Sequence, residues 1–181
     1  MNRTFVTSDT HFGHVNIIRY CSRPFVDVNE MNDGMIARWN NIVASDDVVY
    51  HLGDFAFIRE PAILKRVIFD LNGTINLVPG NHDKPMRKLW NDPFMKPCGF
   101  TMMDPITNIE VEGRLFVLSH FPMEEWENKK YESVHLHGHS HGKPLQSQAR
   151  NRYDVGVDVY GGPVEITANC EFLQQPKGWT I

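Results

Sequence analysis

Thr74-Ile75-Asn76-Leu77-Val78-Pro79-Gly80-Asn81-His82-Asp83 is the stretch on which the fold turns. The run from Thr74 to Val78 reads as a strand, stops at Pro79 and opens into a glycine turn carrying an amide, an imidazole and a carboxylate. The same design occurs twice upstream. Residues 3–8 are a short β-rich run ending at Asp9-Thr10-His11, and Val48-Val49-Tyr50-His51-Leu52 is a buried-strand run ending at Gly53-Asp54. Helices are predicted between them. One is short, over 15–21. A longer one is capped by Asn29 or Asp27, with Met31, Met35, Ile36, Trp39, Ile42 and Val43 at helical spacing as core. A third starts at Pro61 and runs to about Asp70, with Ile63, Leu64, Val67 and Ile68 inward. A β-α-β-α-β order with polar residues past each strand is where open α/β sheets place their ligands.

The second half changes character. Segments near 100–104, 106–112, 114–120, 134–139 and 153–160 read as strands, with Glu112-Gly113 as a hairpin loop. Phe116, Leu118 and His120 share one strand face. Pro85, Pro93, Pro97 and Gly99 make 85–100 an irregular surface segment with one helical turn near Met86–Trp90, and the stretch 166–172 is open between helix and strand. The expectation is one α/β domain over residues 1–181: a two-sheet β-sandwich core flanked by helices.

Composition narrows the class. With 181 residues, 41% hydrophobic and 22% charged, the chain is an ordinary globular protein large enough to bury a core. A formal charge of −4 argues against coating nucleic acid through a basic surface. Cys21, Cys98 and Cys170 are scattered and odd in number, which reads as reduced thiols rather than a disulfide frame or zinc knuckle. With no apolar run long enough to span a bilayer and no signal-peptide pattern before the first motif, the expected location is cytoplasmic, bacterial or, for a phage protein, the host's.

The polar clusters carry the chemistry. Asp9-Thr10-His11, Gly53-Asp54, Gly80-Asn81-His82-Asp83, Ser119-His120 and Gly138-His139-Ser140-His141 bring three carboxylates, one carboxamide and five imidazoles. That mixture suits divalent ions accepting both nitrogen and oxygen: Mn²⁺ first, with Fe²⁺, Zn²⁺ or Ni²⁺ as alternatives. Asp9 and His11, two apart, reach one ion; Asp54 can bridge two; Asn81 adds an oxygen without charge; His139 and His141 can face different ions. Two ions bring four positive charges and the two aspartates remove two, leaving a surplus of about two that matches a phosphate ester. The same surplus lowers the pKa of a bridging water from 15.7 towards roughly 7, giving hydroxide for in-line attack on phosphorus. His82 is the candidate general acid, with Asp83 orienting or charging its ring.

Together these motifs resemble the signature of the calcineurin-like metallophosphoesterases, with no position missing. The resemblance spans residues 9–141 and extends to Asp154-Val155-Gly156-Val157-Asp158. Ser8-Asp9-Thr10-His11-Phe12-Gly13-His14-Val15-Asn16-Ile17-Ile18, followed by Arg23-Pro24-Phe25, is similar to a compact subgroup found in bacteria and phages. The resemblance implies a β-sandwich flanked by helices. It implies one metal on Asp9, His11, Asp54 and His141, a second on Asp54, Asn81, His120 and His139, and His82 as proton donor.

Other residues keep two readings. His14 and Asn16 either touch substrate phosphate or cap a helix; Arg23 is either a phosphate clamp or a surface salt bridge. His51 reads as a hydrogen-bonded core residue. His135, His137, Asp154 and Asp158 are candidates to bond the metal ligands from behind. Arg150 and Arg152 read as solvated loop charges, and Phe12, Phe55, Phe57, Phe121 and Trp126 as packing rather than base-stacking groups. The reaction expected is hydrolysis of a small, nucleotide-like phosphodiester, with a phosphomonoester as the lesser option. A nuclease acting on short or single-stranded ends, or a non-catalytic scaffold, is the alternative. The oligomeric state is not legible.

Overall fold

The computed structural model describes residues 2–84, 99–170, 173 and 178–179. The helical turn expected near Met86–Trp90, and Cys98, fall outside the described residues. β1 (Thr4–Thr7), β2 (Val48–His51), β3 (Thr74–Leu77) and β4 (Phe100–Met102) form parallel neighbours in one sheet. Its other edge is β9 (Val164–Glu165), antiparallel to β1, giving the order β4-β3-β2-β1-β9. β5 (Ile106–Val111), β6 (Arg114–Ser119), β7 (Val134–His137) and β8 (Arg152–Asp154) form the second sheet in chain order. β5 runs antiparallel to β6 through the Glu112-Gly113 turn, both of whose residues have positive φ as a two-residue hairpin requires.

Side-chain alternation explains the layers. Phe5, Val49, Ile75 and Leu77 face the helix side, against Met31, Met35 and Trp39 of α2 (Val28–Ile42) and Leu64, Val67 and Ile68 of α3 (Pro61–Asp70). Val6, Leu52 and Val78 face the other sheet, where they meet Phe116, Leu118, Val134, Leu136 and Val155. The architecture is therefore the expected two-sheet sandwich flanked by helices.

Several expectations need correction. Of the two caps expected for α2, Asp27 is the one used: its carboxylate accepts from the N–H groups of Asn29 and Glu30. Ile42 and Ile63 face solvent, because the buried stripes run through Trp39 and Val43 and through Leu64, Val67 and Ile68. The strand expected over 153–160 ends at Asp154. Asp154 Oδ1 accepts from Gly156 N–H (2.8 Å), the chain turns, and α4 (Val157–Tyr160) follows. Among the described residues of the tail, β9 is a strand and 166–170 are neither helix nor strand; 171–172 fall outside the described residues.

Candidate metal centre

Every ligand candidate lies just past a strand of one of the two sheets, where the two carboxyl edges converge. Asp9 and His11 follow β1, Asp54 follows β2, Asn81 follows β3, His120 follows β6, and His139 and His141 follow β7. Backbone bonds tie these segments together: Asp9 N–H to Gly53 O (3.0 Å), His11 N–H to Asp54 O (2.9 Å), and Gly138 N–H to His120 O (3.0 Å). Asp9, His11, Asp54, His139 and His141 all have φ between 50° and 68°. Non-glycine residues resist this left-handed region by about 1–2 kcal/mol each, and such strain clusters at functional sites. Asp9 and His11 thus reach one point through paired left-handed turns, not through the strand alternation inferred from sequence. Gly53 has φ +89° and sits where a Cβ would press on Gly80 N and His120 Nδ1 (2.9 Å), so only glycine allows Asp54 its position.

Asp54 is the hub. Its Oδ1 accepts from His82 N–H (2.9 Å); its Oδ2 lies 3.7 Å from His11 Nε2, 3.6 Å from His120 Nε2 and 4.0 Å from His82 Nε2. On one side, Asp9 Oδ1 is 3.9 Å from both His11 Nε2 and His141 Nε2. These gaps are too long for hydrogen bonds and suit a cation between donors that each sit about 2.0–2.2 Å from it. Among the described residues, buried Asp9 Oδ1 and both nitrogens of His11 find no hydrogen-bond partner, a cost that a bound cation would offset. On the other side, Asn81 Oδ1 is 2.9 Å and His139 Nδ1 is 3.2 Å from His120 Nε2. His120 Nδ1 donates to Leu52 O (2.9 Å), so in the neutral ring Nε2 is a bare lone pair facing an amide oxygen turned towards it. A cation resolves that opposition. The residues present therefore fit two divalent ions sharing Asp54.

The electrostatics agree. Burial pushes Asp9 up to about 8, and burial, aided by neighbouring positive groups, holds His11 down at about 2, hence neutral. Burial also opposes charge on His141, but the Asp158 hydrogen bond, Cys21 and Asp9 outweigh it and raise the ring to about 10. Burial disfavours charge on both Asp9 and His11, a cost that a cation bound between them would offset.

The residues around this cluster hold it in place. Asp158 Oδ2 accepts from His141 Nδ1 (2.7 Å), which aims Nε2 at Asp9. Arg23 forks onto Asp158 through Nε (2.8 Å) and Nη2 (2.9 Å), and caps Thr10 O (2.8 Å) and Asp9 O (2.7 Å). It is 4% exposed, so it is neither the phosphate clamp nor the surface ion pair expected: a planar fork with five donors has become an internal strut under the first motif. Asp83 is also corrected. Its Oδ2 accepts from Asp54 N–H (2.8 Å) and Gly80 N–H (2.7 Å) and its Oδ1 from Phe55 N–H (2.9 Å), so it staples two ligand loops and does not touch the His82 ring. His14 precedes α1 (Val15–Tyr20) without capping it by its side chain, and its ring lies flat on Phe57; Asn16 is exposed on the first turn. His51 bonds Thr10 Oγ1 (2.9 Å) in the core, and His135 is satisfied by Val117 O and Met123 N, remote from the ligands. His137 Nδ1 donates to Gly138 O, and Asp154 anchors Ser140 and Gly142. Arg152, far from solvated, is held by Met123 O, Glu124 and Ser147, while Arg150 is exposed beside Glu132. Cys21, which the sequence marks only as a reduced thiol, has its Sγ 3.4 Å from His141 Nδ1; 120 residues of separation leave no local signal for that contact.

No protein-family model matches the chain. Uncharacterized protein MJ1445 of Methanocaldococcus jannaschii is 33% identical over 98% of this chain and 94% of its own. The Gene 66 protein of Mycobacterium phage L5 is 26% identical over 89% of each chain. Among solved structures, AQ665 of Aquifex aeolicus, a protein of unknown function, has a TM-score of 0.65 at 24% identity, covering 91% of this chain and 96% of that one, which marks a shared fold. With its motifs converging at one edge of a two-sheet sandwich, the chain belongs to one family with the M. jannaschii protein.

Proposed function

We propose that the protein is a dinuclear metal-dependent phosphoesterase that hydrolyses small, nucleotide-like phosphodiesters. The observation that carries this reading is the single oxygen, Asp54 Oδ2, within 4.0 Å of three imidazole nitrogens on three different loops. Asp9, His11, Asp54 and His141 would hold one divalent ion and Asp54, Asn81, His120 and His139 the other, with Mn²⁺ the preferred ion. When bound, the pair supplies positive charge against the phosphate and acidifies a water for attack.

The chain's own residues do the rest. His82 is the ligand-cluster neighbour with an open ring: 47% of its side chain is exposed, and its Nε2 faces the cavity. Water gives up one proton to solvent and its oxygen bonds to phosphorus while the bond to the leaving oxygen breaks; that oxygen keeps the electron pair and takes the His82 proton, and solvent reprotonates His82. Asp158 and Arg23 hold His141, and Asp83 ties the Asp54 backbone to Gly80, the residue before Asn81, so the ligand loops are set before substrate arrives. The formal charge of −4 favours a small diester over a polymer. No helix among the described residues is long and apolar enough to cross a membrane; a cytoplasmic location is part of the proposal.

The test is hydrolysis of a chromogenic bis-aryl phosphate with Mn²⁺ and with chelator. Turnover that appears with Mn²⁺ and vanishes with chelator is expected. Turnover that persists in chelator would overturn the metal-dependent mechanism, and no turnover at any pH would replace the enzyme with a scaffold.

A further inference from the structure

Asp83 is spent on backbone amides, so another group must orient the His82 imidazole. The His82 backbone N–H bonds Asp54 Oδ1, but its ring Nε2 stands 4.0 Å from Asp54 Oδ2, beyond hydrogen-bond reach, and no hydrogen bond from a described residue fixes the ring. A half-exposed ring without a packing partner would sample several rotamers and aim its proton at the leaving group only part of the time.

What meets the ring is Phe57. The two centroids are 4.7 Å apart at an interplanar angle of 42°. The same phenyl ring stacks flat on His14, at 4.0 Å and 12°, and lies 5.4 Å from His11. Phe57 is itself anchored: its N–H donates to Phe12 O (2.8 Å), beside the Phe12–Ala56 bridge that extends the strands carrying Asp9 and Asp54. A phenyl ring braced by His14 and by the sheet is a rigid wall at the cavity mouth. We infer that Phe57 is a positioning residue for catalysis: its flat face holds the His82 imidazole in the rotamer that delivers a proton, the task a carboxylate would otherwise perform. His14 contributes by bracing Phe57 rather than by touching phosphate.

The inference rests on His82 being the general acid, so the experiment separates the two. Wild type, Phe57→Leu, Phe57→Tyr and His82→Ala are compared, Mn²⁺-loaded, on two diesters with a good (nitrophenolate) or poor (alkoxide) leaving group, with bound metal measured in each. Leucine keeps apolar bulk but loses the flat face. An aromatic contact of this kind biases a rotamer roughly 2- to 10-fold, so Phe57→Leu should lower kcat about that much on the poor leaving group and leave the good one nearly unchanged. Phe57→Tyr should restore wild-type behaviour. Equal loss on both substrates, no loss, or loss of bound metal would overturn the positioning role. If His82→Ala itself shows no dependence on the leaving group, the general-acid reading falls instead, and this inference with it.

Discussion

Replacing Asp158 by Asn tests how the buried scaffold supports the ligands. One carboxylate takes two donors from Arg23 (2.8 and 2.9 Å), one from His141 (2.7 Å) and one from Trp179 (3.3 Å). Burial acts to raise its pKa, but His141 and Arg23 together outweigh burial and hold it at about 2, against 3.8 in a free chain. That depression corresponds to about 2 kcal/mol of stability, present above pH ~4 and lost as pH falls through 2. The carboxamide of Asp158→Asn would put an NH₂ where two donors converge and leave Arg23 without its counter-charge, and breaking a buried pair this way costs about 3–5 kcal/mol. For a chain of this size the melting temperature should fall by roughly 6–20 °C, read by calorimetry in chelator. The amide also donates to His141 Nδ1, driving the imidazole proton to Nε2, the atom that faces Asp9. Calorimetric titration with Mn²⁺ should then show affinity down about 10- to 100-fold. A melting temperature within about 2 °C of wild type together with unchanged Mn²⁺ affinity would refute the strut.

Three further outcomes follow from the same geometry. His135 is buried as a neutral ring, donating to Val117 O and accepting from Met123 N–H, and burial holds it down at about 4 against 6.5 unfolded. The unfolded chain therefore binds the extra proton first: stability is full above pH ~6.5 and drops by about 3 kcal/mol as pH falls to 4, and urea melts of His135→Gln should show a correspondingly flatter acid limb. Asp83→Ala strands three backbone N–H groups, each costing about 1–3 kcal/mol when left unpaired. Thermal melts should show a loss of at least about 3 kcal/mol, whereas Asp83 acting only on the His82 ring would cost activity without stability. Leu136→Ala, fully buried between the sheets, should lower stability by about 2–5 kcal/mol in the same assay.

The first half of the fold was legible because its strands are short apolar runs, two of them ended by glycine or proline, and its two longer helices have a physical start: Asp27 as cap, Pro61 in the first turn. The ligand set was legible because carboxylates and imidazoles crowd the strand ends. What escaped depended on long-range partners. Nothing local tells that Arg23 will meet Asp158 across 135 residues, or that Asp83 will turn towards Phe55 N–H rather than its neighbour His82. The strand expected through 153–160 failed for a local reason: the Asp154 side chain bonds Gly156 N–H and diverts the backbone into a helical turn. Ile42 and Ile63 show the limit of periodicity, since an apolar residue one step off a stripe satisfies the pattern and still faces water.

Crystals grown with Mn²⁺ and measured by anomalous diffraction address the centre most directly. The expected result is two ions roughly 3.5–4 Å apart, both bonded to Asp54, one also to Asp9, His11 and His141, the other to Asn81, His120 and His139. A single ion, or two ions neither of which touches Asp54, would contradict the account.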